Sequence, residues 1–400
     1  MQVAIIGGGA SGLLAAVTAA EGGHDVTLFE RQARVGRKLL ATGNGRCNLT
    51  NTQPLAGRYH GAEPDFARPA LEAFPAEAAR EFFRSLGLLT VEEPSGRVYP
   101  FSDQAGSVVD VLRFAAEARG VELRTGTEVA ALRRQGAGFL VETAAETLPF
   151  ERVIVCCGGL AGGKLGGTRS GYELLASFGH GLTPLYPALV QLKTPPERVR
   201  ALKGVRADAR VRVEKDGACL AESAGEVQFT EYGLSGPTVF EVSRAASTAG
   251  EGATARLDLL RGTPIAELEA LLAARCRDYP ALTGENLLTG ILHNRLGRVV
   301  LREAGFSLER PLSGFNARAL ARVAGVVKDF ALPVTGTTGF DNAQVTAGGV
   351  STAEFDPETL QSRLVPGLYA AGEVLDVDGD CGGFNLQWAW ASGRLAGRLL

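Results

Sequence analysis

Three glycines in the spacing Gly7-x-Gly9-x-x-Gly12 are the most informative chemical feature of the chain. An apolar run typical of a β-strand precedes them, an Ala/Leu-rich helical pattern follows, and a second apolar run ends at Glu30. In such a unit the first glycine allows a tight turn, the second lets a pyrophosphate approach the backbone, and the third allows close helix packing. We therefore expect phosphate oxygens at the N-terminus of this helix, near Ala10 and Ser11, where free N–H groups and the helix dipole favour negative charge.

Glu30 follows Gly12 by eighteen residues, at the tip of the second strand. Its carboxylate is placed to accept hydrogen bonds from the two hydroxyls of an adenosine ribose, whereas a ribose 2′-phosphate would be repelled. The pattern thus predicts FAD or NAD rather than NADP as the bound dinucleotide.

The segment 366–393 favours FAD over NAD. A further apolar strand ends in this segment, and a second glycine turn opens another helix. FAD is long, so its ribityl chain and isoalloxazine need a second anchor, and a positive helix end favours the negative charge that develops at flavin N1 and O2 on reduction. No His or Cys lies in a motif that requires covalent attachment, so FAD is expected to be non-covalent. The residues expected at the second anchor are Gly372, Glu373, Gly383, Phe384, Asn385, Leu386 and Gln387.

Composition restricts the remaining function classes. The 400 residues carry a net charge of −3, with 45% hydrophobic and 21% charged residues, which predicts two or three ordinary globular domains and no nucleic-acid or membrane partner. Neither a leader nor an apolar run of membrane-spanning length is apparent, and the six cysteines include no C-x-x-C, so we expect a cytoplasmic protein. The four histidines are isolated, and no metal site is expected.

Periodicity predicts how the chain is organised. Residues 190–258 alternate apolar and charged positions, as a half-exposed antiparallel sheet requires, and 264–326 show helical spacing. We expect an α/β protein with a discontinuous Rossmann-type FAD domain, an inserted antiparallel β-domain and an all-α insert. Further helices are expected over 68–87 and 104–119, the second with Ser102 or Asp103 as N-cap. The predicted domains are 1–189 with 340–400 for FAD, 190–260 with 327–339 on the substrate side, and 261–326 for the helical insert.

Four long motifs carry a family resemblance: GRKLLATGNGRCNLTN, GEVQFTEYGLSGP, PVTGTTGFDNAQVTAGGV and AAGEVLDVDGDCGGFNLQWAWASG. With them the chain resembles, from residue 2 to 397, the BaiN-like or aminoacetone-oxidase-like family of bacterial NAD(P)/FAD-dependent oxidoreductases. The resemblance implies a glutathione-reductase-type FAD domain interrupted by a β-domain with a helical insert. It also implies FAD contacts at Gly9 to Gly12, Glu30, Arg31, Lys38, Arg46, Val129, Gly158, Gly372, Glu373 and Asn385 to Gln387.

The flavin supplies hydride chemistry at N5. The protein therefore need only position a small or medium organic substrate and set the electrostatic environment of the site. Tyr232 and Ser235, in the β-domain motif, are candidates for an acid/base residue, but the sequence does not single one out. Thr52 stands where a redox partner of Cys47 would be, so no flavin-to-disulfide relay is expected. Around the isoalloxazine we place Asn44, Arg46, Cys47, Asn385, Gln387 and Trp388, with catalytic roles for Arg46, Cys47, Gln387 and Trp388.

Several alternatives stay open at this point. A reductase would take hydride from NAD(P)H docked transiently, whereas an oxidase would deliver electrons to oxygen, and the lack of a second dinucleotide fingerprint favours the oxidase. The eight cations of 193–215 could receive a phosphate-bearing substrate or could form the solvated face of a sheet, and we favour the sheet. A flavin-binding sensor or RNA-associated flavoprotein is the rival class, against which the net charge of −3 argues. The oligomeric state is left open.

Overall fold

The computed structural model describes residues 1–400, which divide into two compact units. Unit 1 comprises Met1–Pro187 with Phe340–Leu400, and unit 2 comprises Ala188–Gly339. Each unit has its own buried apolar core, as expected of a chain too long for one core. The assignment of particular ranges to FAD and to the substrate stays a prediction. No helix has both the length and the apolar character needed to cross a membrane.

Eleven α-helices are joined by loops and short 3-10 turns. They are α1 (Ala10–Glu21), α2 (Arg68–Ala73), α3 (Ala76–Ser85), α4 (Ala105–Ala118), α5 (Ser170–Ala176), α6 (Pro196–Val199), α7 (Pro237–Ala249), α8 (Ile265–Asp278), α9 (Asn294–Glu303), α10 (Ala317–Lys328) and α11 (Phe384–Gly397).

The strands are mostly short. They are β1 (Gln2–Ile6), β2 (Asp25–Glu30), β3 (Thr50–Asn51), β4 (Tyr59–His60), β5 (Thr90–Glu92), β6 (Arg97–Pro100), β7 (Glu122–Thr125), β8 (Val129–Gln135), β9 (Gly138–Thr143), β10 (Thr147–Phe150), β11 (Arg152–Val155), β12 (Tyr186–Ala188), β13 (Leu192–Lys193), β14 (Arg206–Lys215), β15 (Ala218–Phe229), β16 (Gly233–Ser235), β17 (Thr254–Asp258), β18 (Phe330–Pro333), β19 (Gly336–Thr337), β20 (Val345–Ala347), β21 (Leu368–Ala370) and β22 (Asp378–Gly379).

A five-stranded parallel sheet in the order β21-β11-β1-β2-β7 organises unit 1. The predicted strand-turn-helix-strand unit is confirmed as β1, α1 and β2, and β21 brings the C-terminal part of the chain into the same sheet. Central strands of such sheets are covered on both faces, which explains the uninterrupted apolar run Val3–Ile6. Helix α11 packs so closely on α1 that a Cβ at Gly393 would lie 2.4 Å from the Ser11 carbonyl oxygen, and only glycine fits there.

A seven-stranded antiparallel sheet organises unit 2, in the order β18-β17-β14-β15-β16-β13-β19. Along β14 the side chains of Ala209, Val211 and Val213 are buried, whereas Arg210 between them is exposed, which confirms the predicted alternation. The helices expected within 264–326 are present as α8, α9 and α10, whose buried residues join the core of this unit.

Two local predictions need correction. The single helix expected over 68–87 is interrupted at Pro75, which precedes α3, because proline lacks an N–H and disrupts the interior of a helix. Neither Ser102 nor Asp103 caps α4. The N-cap residue is Gln104, without a side-chain capping bond, while Ser102 bonds Ser107 and Asp103 pairs with Arg46.

Candidate functional site

The three glycines of the turn after β1 differ in their surroundings. Gly7 and Gly12 are required for close packing, whereas Gly9 leaves open space. Gly7 has a φ of 106°, and a Cβ there would lie 2.4 Å from the Cys156 carbonyl oxygen, while a Cβ at Gly12 would lie 1.8 Å from the Gly7 carbonyl oxygen. Gly9 differs, because a Cβ there would meet no atom within 4 Å. Gly9 is the N-cap of α1, whose first turn carries neither a capping side chain nor an acid. The free N–H groups and open space fit a pyrophosphate.

Glu30 lies in a pocket next to this turn. Its carboxylate accepts hydrogen bonds from the N–H groups of Gly8 at 2.8 Å and Gln32 at 2.7 Å. An ionised carboxylate has about four lone-pair sites, so two remain for ribose hydroxyls. The predicted residues Gly7, Glu30, Arg31 and Val129 line the pocket together with Thr127, Glu128, Gly166, Thr168 and Ser170, which sequence reasoning missed.

Lys38 and Glu373 form a polar cluster at the carboxyl ends of the strands of unit 1. The Lys38 ammonium lies 2.6 Å from one oxygen of Glu373, and the other accepts the N–H of Thr346 at 2.9 Å. The buried Tyr172 hydroxyl has no partner, and a Cβ at Gly159 would lie 2.8 Å from it and 2.9 Å from Glu373. A cation, a carboxylate and an unpartnered hydroxyl provide donors and acceptors suited to phosphate and ribityl oxygens.

Glycine conformations shape the other expected anchor positions. Gly158 has a φ of 71° and open space at its Cβ position, so a ligand can approach it. Gly372 has a φ of 79°, donates its N–H to Ser392 and leaves no room for a Cβ beside Ser11. These positions follow β11 and β21, two neighbouring strands of the parallel sheet.

The N-terminus of α11 is fixed by its own first turn. Gly383 is the N-cap with a φ of 106°, and Phe384 is buried behind it, whereas Leu386 is partly buried. The Asn385 side chain bonds both backbone polar groups of Gly379, accepting at 2.8 Å and donating at 2.7 Å. Asn385 therefore holds the preceding loop, and any contribution to a flavin here comes from backbone N–H groups at the helix end.

The structure places Gln387 and Trp388 inside unit 1, so the catalytic roles predicted for them find no support in its contacts and stay predictions. Gln387 has no exposed surface, accepts a hydrogen bond from the Thr50 hydroxyl at 2.7 Å and donates one to the Phe74 carbonyl at 2.6 Å. Trp388 is 2% exposed and donates its indole N–H to the Gly372 carbonyl. The polar side-chain atoms of both residues are thus already bonded inside unit 1, as expected of residues that support the fold.

The loop from Asn44 to Cys47 was predicted to lie around the isoalloxazine, and its three predicted residues have different surroundings. Asn44 is exposed in the left-handed region, with a φ of 56°, which asparagine tolerates. Arg46 pairs with Asp103 and Glu93 and stacks over the Tyr99 ring at 4.1 Å, so opposing carboxylates already engage its charge. Cys47 is fully buried, and this burial raises the pKa of its thiol to about 12. A reactive cysteine is exposed and has a lowered pKa, so these features do not support the catalytic role predicted for Cys47, which stays a prediction.

We expect that Cys47→Ser leaves FAD binding unchanged and that both forms are fully reduced by two electron equivalents, because the buried thiol has no redox partner. The measurement is an anaerobic dithionite titration followed by flavin absorbance. A requirement for four equivalents, with a thiolate charge-transfer band that Cys47→Ser abolishes, would show that a redox disulfide exists.

A serine, a histidine and a glutamate in unit 1 resemble a hydrolase triad that the sequence did not reveal. His180 Nε2 lies 2.9 Å from Ser362 Oγ, and His180 Nδ1 lies 2.9 Å from Glu354. The His180 side chain has no exposed surface, and Ser362 Oγ accepts the N–H groups of Leu364 and Val365. The set is therefore a structural network, because its hydroxyl is engaged and shielded from substrate.

Burial lowers the pKa of His180, although Glu354 opposes the shift. The unfolded state then binds a proton more readily than the folded state, so stability is present above the unfolded pKa of about 6.5 and is lost as pH falls below it. We expect the melting temperature to fall between about pH 7.5 and 5.5. His180→Gln should reduce that fall. An equal pH dependence in the variant and the wild type would show that other groups cause it.

Unit 2 holds the other sequence-predicted residues. Tyr232 precedes β16 and Ser235 lies on it, both with partly exposed side chains. Four of the eight cations of 193–215 lie on β14, and the other four precede this strand. On the sheet, Arg206 pairs with Glu226 at 3.4 Å and Arg210 with Glu222 at 3.7 Å. Those on β14 thus follow the predicted solvated face.

Comparison with known proteins decides the family. A family model described as the HI0933-like protein Rossmann domain matches residues 1–399. The chain belongs to the HI0933-like family. This membership, with the relative described next, confirms the resemblance to BaiN-like flavoprotein oxidoreductases that the four motifs carry.

Two curated relatives match the HI0933-like chain over nearly its whole length. It is 42% identical over 402 residues to the 3-dehydro-bile acid delta(4,6)-reductase of Clostridium scindens, covering 99% of this chain and 98% of the relative. It is 32% identical over 391 residues to the ribosomal RNA dihydrouridine synthase of Escherichia coli, covering 97% and 95%. The HI0933-like chain is an enzyme, a FAD-dependent oxidoreductase, as the sequence predicts.

A solved structure shares the fold. The 3-ketosteroid delta1-dehydrogenase from Sterolibacterium denitrificans superposes with a TM-score of 0.50 at 14% identity, covering 99% of the HI0933-like chain and 98% of the dehydrogenase. The HI0933-like chain thus combines a Rossmann-type FAD-binding domain with an antiparallel sheet, which confirms these two parts of the predicted architecture.

Proposed function

We propose that this enzyme is a reductase that adds two electrons and two protons to a ring carbon–carbon double bond conjugated to a carbonyl group. The names of the two relatives support the proposal, because in chemical terms each describes saturation of such a bond. One relative acts on a 3-dehydro-bile acid and the other forms dihydrouridine in ribosomal RNA. The observation that carries the proposal is that both match more than nine-tenths of this chain.

We propose that unit 1 holds FAD in a glutathione-reductase-type arrangement. When bound, FAD supplies hydride transfer at flavin N5. In this proposal Gly9 and the first turn of α1 receive the pyrophosphate, and Glu30 with its pocket holds the adenosine. Lys38, Glu373 and the N-terminus of α11 orient the flavin half. The open Cβ position at Gly9 and the unpartnered Tyr172 hydroxyl are the features that support this placement.

A reductase needs a hydride donor, and NAD(P)H fits the proposal as a transient one. The sequence contains a single dinucleotide fingerprint, so nicotinamide would dock without a Rossmann pocket of its own. The lack of a second dinucleotide fingerprint favours an oxidase, but the names of the two relatives favour a reductase, which we adopt. Tyr232 and Ser235 remain candidates for the acid/base residue.

We expect NADH or NADPH to reduce the flavin anaerobically, with saturation on the order of 1 mM, where binding is worth about 4 kcal/mol. The measurement is stopped-flow absorbance of the purified holoenzyme. Continued anaerobic consumption of the nicotinamide should then require an acceptor with a conjugated ring double bond. Turnover that requires oxygen instead would identify an oxidase, and low-micromolar saturation would reveal a dedicated nicotinamide site.

A further inference from the structure

We propose that unit 2 carries a docking surface for the phosphate backbone of a folded RNA. This inference rests on the proposed function, because it assigns the conjugated ring to a uracil within RNA. The surface, here called the basic face, is formed by α9 and by the segment around the 3-10 turn Arg200–Leu202. Its residues are Arg200, Lys203, Arg295, Arg298 and Arg302, all exposed.

Helix α9 contributes a stripe of three arginines. Arg295, Arg298 and Arg302 are spaced i, i+3 and i+7, so they share one side of the helix along about 10 Å. The opposite side packs into the core of unit 2 through Leu296 and Val300. The burial of that apolar side fixes the direction in which the arginines project.

The segment 198–203 lies against α9 and adds to the same face. Arg295 donates a hydrogen bond to the Ala201 carbonyl at 3.3 Å, and Arg198 pairs with Glu303 at the end of α9. These two contacts join the segment to the helix at both of its ends. Arg200 and Lys203 thus lie, exposed, on a segment that contacts the helix carrying the arginine stripe.

The cations of the basic face are only partly neutralised by the protein, since the Glu231 carboxylate lies near Arg200 as well as Lys203 and the Glu309 carboxylate lies near Arg302. Arg200, Arg295 and Arg302 form no ion pair within 4 Å. Lys203 pairs with Glu231 at 2.7 Å, and Arg298 pairs with Glu285 at 3.4 Å. The β14 arginines differ because all three form ion pairs, Arg206 and Arg210 with carboxylates of β15 and Arg212 with Glu214. The basic face therefore retains charge that a phosphate backbone would neutralise.

Charge is also distributed unevenly along the chain. Unit 2 holds 20 Lys and Arg against 17 Asp and Glu, whereas unit 1 holds 21 against 27. The net charge of −3 is the sum of an excess of positive charge in unit 2 and an excess of negative charge in unit 1. The prediction of no nucleic-acid partner was based on this sum alone. Guanidinium groups favour phosphate because they present several donors in one plane. RNA is the polyphosphate that a relative matched over 95% of its length acts on, so it is the partner we propose here.

The test compares two triple variants of the holoenzyme that lose the same charge in the same unit. Arg200→Gln with Arg295→Gln and Arg302→Gln removes the unpaired cations of the basic face. Arg206→Gln with Arg210→Gln and Arg212→Gln is the matched control on β14. Binding of fluorescein-labelled, unmodified 16S and 23S ribosomal RNA transcripts is measured by anisotropy between about 50 and 200 mM KCl.

The basic-face variant should bind about tenfold more weakly, and its dependence of log K on log salt should be shallower by about 2 to 3. The control should stay within about twofold of the wild type. Unchanged binding in the basic-face variant, or an equal loss in the control, overturns the proposal. Displacement of the RNA by anionic phosphatidylglycerol vesicles also overturns it, because the face would then be a membrane surface.

Reduction of uracil in the ribosomal RNA and of a free 3-oxo-Δ4,6 steroid is measured in parallel, and any reduction of the free steroid should be equal in all three proteins. A wild type that binds RNA through the basic face yet reduces no conjugated double bond supports the docking surface and contradicts the proposed function. The two proposals therefore fail in distinguishable ways.

Discussion

Gly9→Val is expected to weaken FAD binding strongly while leaving the fold of unit 1 intact. Gly9 has a φ of −80° and a ψ of −165°, an extended conformation that valine adopts readily, and its Cβ position has no neighbour within 4 Å. The added methyl groups would occupy space that the pyrophosphate needs. We expect the dissociation constant of FAD to rise by at least about 100-fold, which corresponds to about 3 kcal/mol. Isothermal titration of the apoprotein with FAD measures it.

Gly106→Val is the matched control, because Gly106 lies in unit 1 with an ordinary φ and open space at its Cβ position. It should bind FAD normally. Gly12→Ala should instead lower the melting temperature, because its Cβ would lie 1.8 Å from the Gly7 carbonyl oxygen. Normal FAD affinity in Gly9→Val would mean that the pyrophosphate does not pass over this glycine.

Gln387→Leu is expected to destabilise unit 1 strongly. The substitution keeps the volume but leaves the Phe74 carbonyl and the Thr50 hydroxyl without their buried partner. An unpaired buried polar group costs about 1–3 kcal/mol, so we expect a loss of about 3 kcal/mol. For a unit of this size the melting temperature should fall by roughly 6–12 °C, measured by calorimetry.

Gln104→Leu is the control for this substitution, because Gln104 is exposed and makes no side-chain capping bond. It should leave the melting temperature nearly unchanged. If Gln387→Leu instead lost turnover without any loss of stability, Gln387 would act on substrate after all, as the sequence first suggested.

The glycine turn was predictable because its information is local. Gly7, Gly12 and Glu30 act within one strand-turn-helix-strand unit, and spacing alone specifies that unit. The alternation along β14 was predictable for the same reason, since one face of the sheet is buried.

The roles of Gln387 and Trp388 were not predictable, because both depend on contacts far along the chain. Gln387 forms hydrogen bonds with Phe74 and Thr50, and no sequence pattern within α11 predicts these contacts. Thr127 and Thr168 reach the Glu30 pocket only through the fold, and neither belongs to a motif. Sequence reasoning therefore predicted the glycine turn better than the side-chain contacts of α11.

The most direct test of the proposed function is a single anaerobic turnover. The holoenzyme is photoreduced without excess reductant and then mixed with a 3-oxo-Δ4,6 steroid or with unmodified ribosomal RNA. Flavin absorbance and product mass are followed together. We predict that the flavin becomes oxidised and that one ring double bond is saturated for each flavin, in at least one of the two acceptors. A flavin that stays reduced with both acceptors until oxygen is admitted would contradict the account.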